Sequence, residues 1–287
     1  DGELRDPFKK LTTVFQMSEE IFFLHYGKDG CNRHVLIDEC RELFGEIYEQ
    51  IPELPFCNIW TAMQLSSRLP KGALFHMGVS NTRRCWNMFQ LPESVESACN
   101  VGCCGIDGCV STLVGASLVN PDRLCYVVVG DLTFFYDLNS LGNHHIGTNL
   151  RVMLVNNGRG TEFRLGIHHC NVFGDDADKY MAAAGHFGNK SPLLVKHYAE
   201  DLGFHYLSAT TKEEFMTALS NFTNPQLSDH SMILEVFTDS KDESEALYLM
   251  SHIQSDAKGM VRSKLKDAVR NVAGEKGINA IKKILKK

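Results

Sequence analysis

Residues 124–141 read LCYVVVGDLTFFYDLNSL, and ten residues further on 151–163 read RVMLVNNGRGTEF. Each segment opens with a short, unalternated run of β-branched and apolar residues, as expected for a strand covered on both faces. The first run stops at Gly130 and the second at Asn156-Asn157-Gly158. Asp131 and Asn157, twenty-six positions apart, would therefore stand at the carboxyl ends of two buried strands. A carboxylate and an amide oxygen so placed form a hard-oxygen pair suited to Mg²⁺, with other positions left for phosphate and water. Gly130 would let a phosphate approach the backbone, and a helix starting near Thr133 would aim N–H groups at it.

Similar runs occur at 73–78, 204–209 and 231–237. Helical patterns separate the runs at 80–88, 95–118, 134–146, 177–186, 191–202 and 212–222, and earlier ones cover 33–50 and 58–69, the latter ending at Pro70. Strand and helix in alternation predict a doubly wound, mainly parallel α/β sheet flanked by helices. Ligands of such sheets sit beyond the carboxyl strand ends, so the loops after Gly78, Gly130 and Asn157 are the places to seek chemistry.

The chain has 287 residues, 44% of them apolar and 22% charged, with a mean hydropathy of −0.17, which excludes a disordered or collagen-like chain. No apolar run approaches the roughly 18 residues of a membrane helix. The net charge of −6 hides a split: residues 258–287 hold ten Lys/Arg against two acids, behind an acidic body. A packed amphipathic helix is favoured for this tail over a membrane-surface or nucleic-acid contact. The ten cysteines lie mostly in apolar runs, which suits free thiols in a reducing cytoplasm. Cys99, Cys103, Cys104 and Cys109 lack the paired spacing of a metal knuckle and read as packing residues. The Gly102/Gly105/Gly108 spacing does not fit a dinucleotide fingerprint.

The pair Gly130-Asp131 with Asn156-Asn157 resembles the thiamin diphosphate signature. Leu132 in the third position is similar to the branch that includes 2-succinyl-5-enolpyruvyl-6-hydroxy-3-cyclohexene-1-carboxylate synthases of menaquinone biosynthesis. SNTRR (80–84), NVGCCGIDG (100–108), GDLTFFYDLN (130–139) and NNGRG (156–160) carry the likeness, which runs from about 75 to 163 and more loosely to 237. It implies that Asp131, Asn157 and the Arg159 carbonyl bind Mg²⁺. Ser80, Gly130, Leu132, Thr133 and Thr161 would hold the cofactor, and Ile106 would wedge it into a bent form. Cys104 or Gly105 would offer a carbonyl to its pyrimidine. Ser80 and Arg84 would contact a substrate carboxylate. The implied activity is 2-oxo acid decarboxylation with carboligation to an acceptor.

Two departures stand out. Val101 replaces an arginine of the menaquinone enzymes, and Glu162 replaces an apolar residue, which suggests another substrate and a catalytic acid/base or specificity role for Glu162. The likeness also implies a separate pyrimidine-binding domain, a homodimer or homotetramer, and no turnover by this chain alone. The expected organisation is the tail of a preceding domain at 1–32, the diphosphate- and metal-binding α/β domain at 33–240 and a helical extension at 241–287.

Overall fold

The computed structural model describes residues 3–27, 35–102, 104–165, 168–180, 187–188 and 190–253. Cys103 and the basic tail lie outside these residues, as does most of the helical pattern expected at 177–186. The chain divides into two compact units, Asp1–Gln50 and Ile51–Lys287.

The first unit contains α1 (Glu19–Tyr26) and α2 (Val35–Glu49). Ser18 caps α1 by accepting from the Ile21 N–H at 3.4 Å, and Glu19 and Glu20 fill its first turn. No residue of α1 is buried, in keeping with a segment too short to build a core by itself.

The second unit holds a six-stranded sheet, β1 (Leu74–Met77), β2 (Glu96–Cys99), β3 (Cys125–Gly130), β4 (Leu150–Asn156), β5 (His205–Ala209) and β6 (Met232–Phe237). The strands are all parallel, in the order β2-β1-β3-β4-β6-β5. The sheet is flanked by α3 (Asn58–Leu65), α4 (Asn81–Trp86), α5 (Cys109–Val119), α6 (Asp131–Asp137), α7 (Ala177–Tyr180), α8 (Leu194–Asp201), α9 (Lys212–Phe222) and α10 (Ser240–Ser251). This is the parallel α/β architecture that the alternating pattern predicts.

Every residue of β4 is buried, and so is all of β3 up to Val129. Val127, Val129, Val152 and Leu154 pack with Val110, Leu113 and Val114 of α5 and with Phe134 of α6 in one apolar cluster. Polar residues inside this core are only partly matched: the Arg151 Nε and the His76 Nε2 have no hydrogen-bond partner among the described residues. Arg151, wholly buried at the amino end of β4, donates to the Thr148 and Leu150 carbonyls and to the Ser228 hydroxyl at 2.8–3.0 Å. Burial pushes its guanidinium below the ordinary value.

Two elements differ from the expected pattern. The helical reading of 95–118 is wrong at its start: 96–99 forms edge strand β2, a loop follows, and α5 begins only at Cys109. Strand β2 pairs on one side only and is largely exposed, so it carries no apolar run to betray it. The helix expected at 134–146 starts at Asp131 and gives way to a 3₁₀ turn at Leu138–Gly142.

Replacing Leu154, fully buried in β4, by alanine should cost about 2–5 kcal/mol of unfolding free energy, read as a lower denaturant midpoint at unchanged slope.

Candidate functional site

The chain leaves β1 for β2 on one side, whereas β3 and β4 succeed each other on the other side. The loops after β1 and β3 therefore part and leave a crevice at the carboxyl end of the sheet, the switch point where parallel sheets take ligands. A cavity of about 330 Å³ opens there, within the roughly 300–1,000 Å³ common for small-molecule sites.

Ten of the thirteen residues singled out from the sequence line this cavity: Ser80, Ile106, Gly130, Asp131, Leu132, Thr133, Asn157, Arg159, Thr161 and Glu162. Cys104 and Gly105 lie on the loop that carries Ile106 but do not line it, and Arg84 approaches only through Glu162. Asn58, Asn81, Phe163 and His168 also form its wall. Asn58 and Asn81 open helices and read in the sequence as ordinary helix starts, so only the packing reveals them.

The loop after β1 is strained. Ser80 adopts φ 58° and ψ −121°, which a residue with a Cβ rarely does, just where it turns the chain into α4 at the cavity. The preceding Gly78 is held closely against β3, since an added Cβ would meet the Val128 carbonyl and Val129 Cα at 3.3 Å. Gly130 differs: a Cβ there would meet only the Thr82 hydroxyl at 4.0 Å. Nothing among the described residues crowds a Cβ at that position, so open space lies beside this backbone at the cavity wall.

Asp131 is almost wholly buried, and its Oδ1 accepts from the Leu132 N–H at 2.8 Å. That amide is therefore engaged by its neighbour's carboxylate rather than aimed outward. The Asn157 Oδ1 accepts from the Arg159 N–H at 3.3 Å, a local turn in the loop after β4, and both residues line the cavity with Asp131. Thr161 is buried, and its hydroxyl has no hydrogen-bond partner among the described residues. A buried hydroxyl in a cavity wall is an open donor and acceptor for a ligand. No group of three or more His, Cys, Asp or Glu gathers among the described residues, so a cation here would rest on one carboxylate with amide and carbonyl oxygens.

Arg84 donates from Nη1 and Nη2 to Glu162 Oε2 and Oε1 at 2.7 and 2.9 Å, a two-pronged pair. Glu162 holds the guanidinium above its ordinary value. Both side chains are about a quarter exposed, so the pair is partly shielded from water. Of the adjacent histidines in the next loop, only His168 borders the cavity; its Nδ1 accepts from the Cys170 N–H at 3.1 Å, which puts the ring proton on Nε2.

No protein-family model matches the chain. Among curated proteins it is 32% identical over 253 residues to the 2-succinyl-5-enolpyruvyl-6-hydroxy-3-cyclohexene-1-carboxylate synthase of Bacteroides fragilis, covering 86% of this chain and 43% of that protein. The synthase of the same name from Phocaeicola vulgatus is 32% identical over 255 residues, covering 86% and 42%. That of Christiangramia forsetii is 33% identical over 199 residues, covering 69% and 33%. This chain is a homologue of those synthases. It spans less than half the length of each relative named here. The homology extends well beyond the four motifs, across most of the sheet that shapes the cavity.

Of the cysteines read as packing residues, Cys109 is buried and Cys99 half-buried, whereas Cys104 is exposed and so does not pack; all three are free thiols. Burial pushes Cys57 up to about 12 and both Cys109 and Cys125 up to about 11, so these thiols stay protonated and unreactive near neutral pH. No helix of the described residues is long and apolar enough to cross a membrane.

Behind the cavity wall, α10 is anchored by fully buried Glu243. Its Oε1 accepts from the Asn58 N–H and the Thr238 hydroxyl, both at 2.9 Å, while the Asn58 side chain accepts from Trp86 Nε1 at 3.1 Å. Burial outweighs these hydrogen bonds and raises the carboxyl from 4.5 to about 7. The folded chain thus keeps a proton that the unfolded chain releases at lower pH. The group's contribution favours folding below about 4.5 and is lost as pH rises to about 7. Relative to wild type, Glu243→Gln should gain unfolding free energy across that window, by roughly 3 kcal/mol in all, measured by denaturant titration at several pH values. A difference independent of pH would refute the raised carboxyl.

Proposed function

We propose that this chain is the diphosphate- and metal-binding part of a thiamin diphosphate- and Mg²⁺-dependent enzyme that decarboxylates a 2-oxo acid and joins the product to an acceptor. The observation that carries the reading is the convergence of Gly130, Asp131, Asn157 and Thr161 on one cavity at the switch point of the sheet. The homology to the synthases supports it.

The donor set fits the cofactor. Asp131, the Asn157 amide and the Arg159 carbonyl offer the oxygen ligands that Mg²⁺ prefers and would hold the ion here. Gly130 leaves room for the diphosphate beside the backbone, with the Thr161 and Ser80 hydroxyls as donors. Ile106 supplies an apolar surface to the cavity wall, against which the cofactor would be held. When bound, thiamin diphosphate supplies the nucleophilic carbon and the electron sink that allow loss of carbon dioxide. The protein's work is to hold, desolvate and orient the reacting groups.

In this reading a pyrimidine-binding domain of the full-length protein and a second subunit complete the site, and the chain expressed alone has no turnover. A second reading, favoured by the names of the relatives, is the menaquinone-pathway reaction itself, with 2-oxoglutarate and isochorismate as substrates. Val101 and Glu162 speak against it: one removes a positive charge, and the other brings a carboxylate to a cavity meant for polyacids. A non-catalytic interaction module on the same fold is a third reading, and the built cavity argues against it.

Calorimetric titration of the full-length protein with thiamin diphosphate and Mg²⁺ tests the assignment. Wild type should bind; Asp131→Ala should lose at least about tenfold in affinity, the scale of one ion-ligand or charge-assisted contact. Gly130→Ala should fold normally, because the protein leaves its Cβ unopposed, yet bind the cofactor poorly. No binding by wild type, or undiminished binding by both variants, would refute the site.

A further inference from the structure

The Arg84–Glu162 pair joins a helix residue to a turn residue seventy-eight positions away, at the rim where α4 meets the loop after β4. Its geometry is that of a guanidinium clamping a substrate carboxylate, with two parallel N–H···O bonds of 2.7 and 2.9 Å. Here the carboxylate is the protein's own. We infer that Glu162 is a built-in plug: it occupies the fork of Arg84, cancels its charge, and thereby selects against substrates that carry a carboxylate at this corner of the cavity.

Three observations carry this further than an incidental surface pair. First, Glu162 itself lines the cavity, as do Ser80 and Phe163, so the plug stands in the cavity and not on the outer surface. Second, both partners are shielded, with side-chain exposures of 31% and 21%, so an incoming anion would have to leave Glu162 behind as an uncompensated charge. Third, Glu162 is acceptor-only when ionised. An ionised carboxylate offers about four lone-pair sites, and Arg84 takes one on each oxygen. The remaining sites face an uncharged hydrogen-bond donor better than another acceptor. The substrate group that reaches this corner is therefore a hydroxyl.

The substrate part of this inference rests on the reading of the cavity as the place where a 2-oxo acid product meets an acceptor. The charge part rests on the ion pair alone, and the test separates them. Succinate is titrated calorimetrically into the full-length protein, into Glu162→Gln and into the double variant Arg84→Met/Glu162→Gln, with thiamin diphosphate binding measured on the same samples. Removing the plug's charge should free Arg84 and tighten succinate binding by about tenfold, and the second substitution should abolish the gain. In turnover with pyruvate as donor, wild type should prefer glycolaldehyde to glyoxylate, matched in size and differing in hydroxyl against carboxylate. Glu162→Gln should shift the kcat/KM ratio towards glyoxylate by a similar factor. Equal succinate binding by wild type and Glu162→Gln, or a gain that survives loss of Arg84, overturns the plug. Wild-type preference for glyoxylate overturns the assigned substrate group. If none of the proteins binds thiamin diphosphate, the cofactor reading fails while the succinate comparison still decides the plug.

Discussion

Strands β3 and β4 lie side by side in the middle of the sheet and are covered on both faces, and that burial governs everything built around them. A strand sealed above and below penalises polar groups along its length, and Arg151 of β4 is buried with most of its donors turned onto nearby oxygens. Polar groups that face a ligand emerge where the strands end. Gly130-Asp131 and Asn156-Asn157 are those stopping points, held in register by the ladder that pairs Gly130 with Val155. The carboxylate and the amide oxygen reach one cavity because the two strands are adjacent, parallel and end together.

The remaining wall comes from elements that have no such constraint. Ser80 is forced into a positive-φ conformation because β1 is held tightly to β3 through Gly78, and the chain must then turn sharply into α4. Asn58 is set by contacts from two sides, the Glu243 carboxyl on its amide and the Trp86 indole on its side chain. A fully buried carboxyl raised to about 7 costs little when protonated, so α10 can be tied to α3 without a buried ion pair. The cavity thus combines rigid oxygen donors at strand ends with a rim whose charges neutralise each other.

Much of this was legible in the sequence. Unalternated runs such as CYVVVG and RVMLV announce doubly covered strands, and glycine or asparagine at their ends marks where they open. The spacing of Asp131 and Asn157, with the resemblance it carries, groups ten of the residues that line the cavity. Strand β2 was not legible, because an edge strand exposed on its open side needs no apolar pattern. Nor were Glu243 and Asn58, whose roles depend on a contact across 185 positions.

The sequence by itself determined the parallel α/β class and the two strand ends that bear the oxygen donors, since periodicity and local turn chemistry are properties of neighbouring residues. Only the tertiary structure decided that Arg84 and Glu162 hold one another. Read along the chain, one was a carboxylate anchor and the other a candidate acid/base. Charge is cancelled in space rather than in sequence, and a guanidinium already gripped by a carboxylate presents the cavity with a different chemistry from a free one.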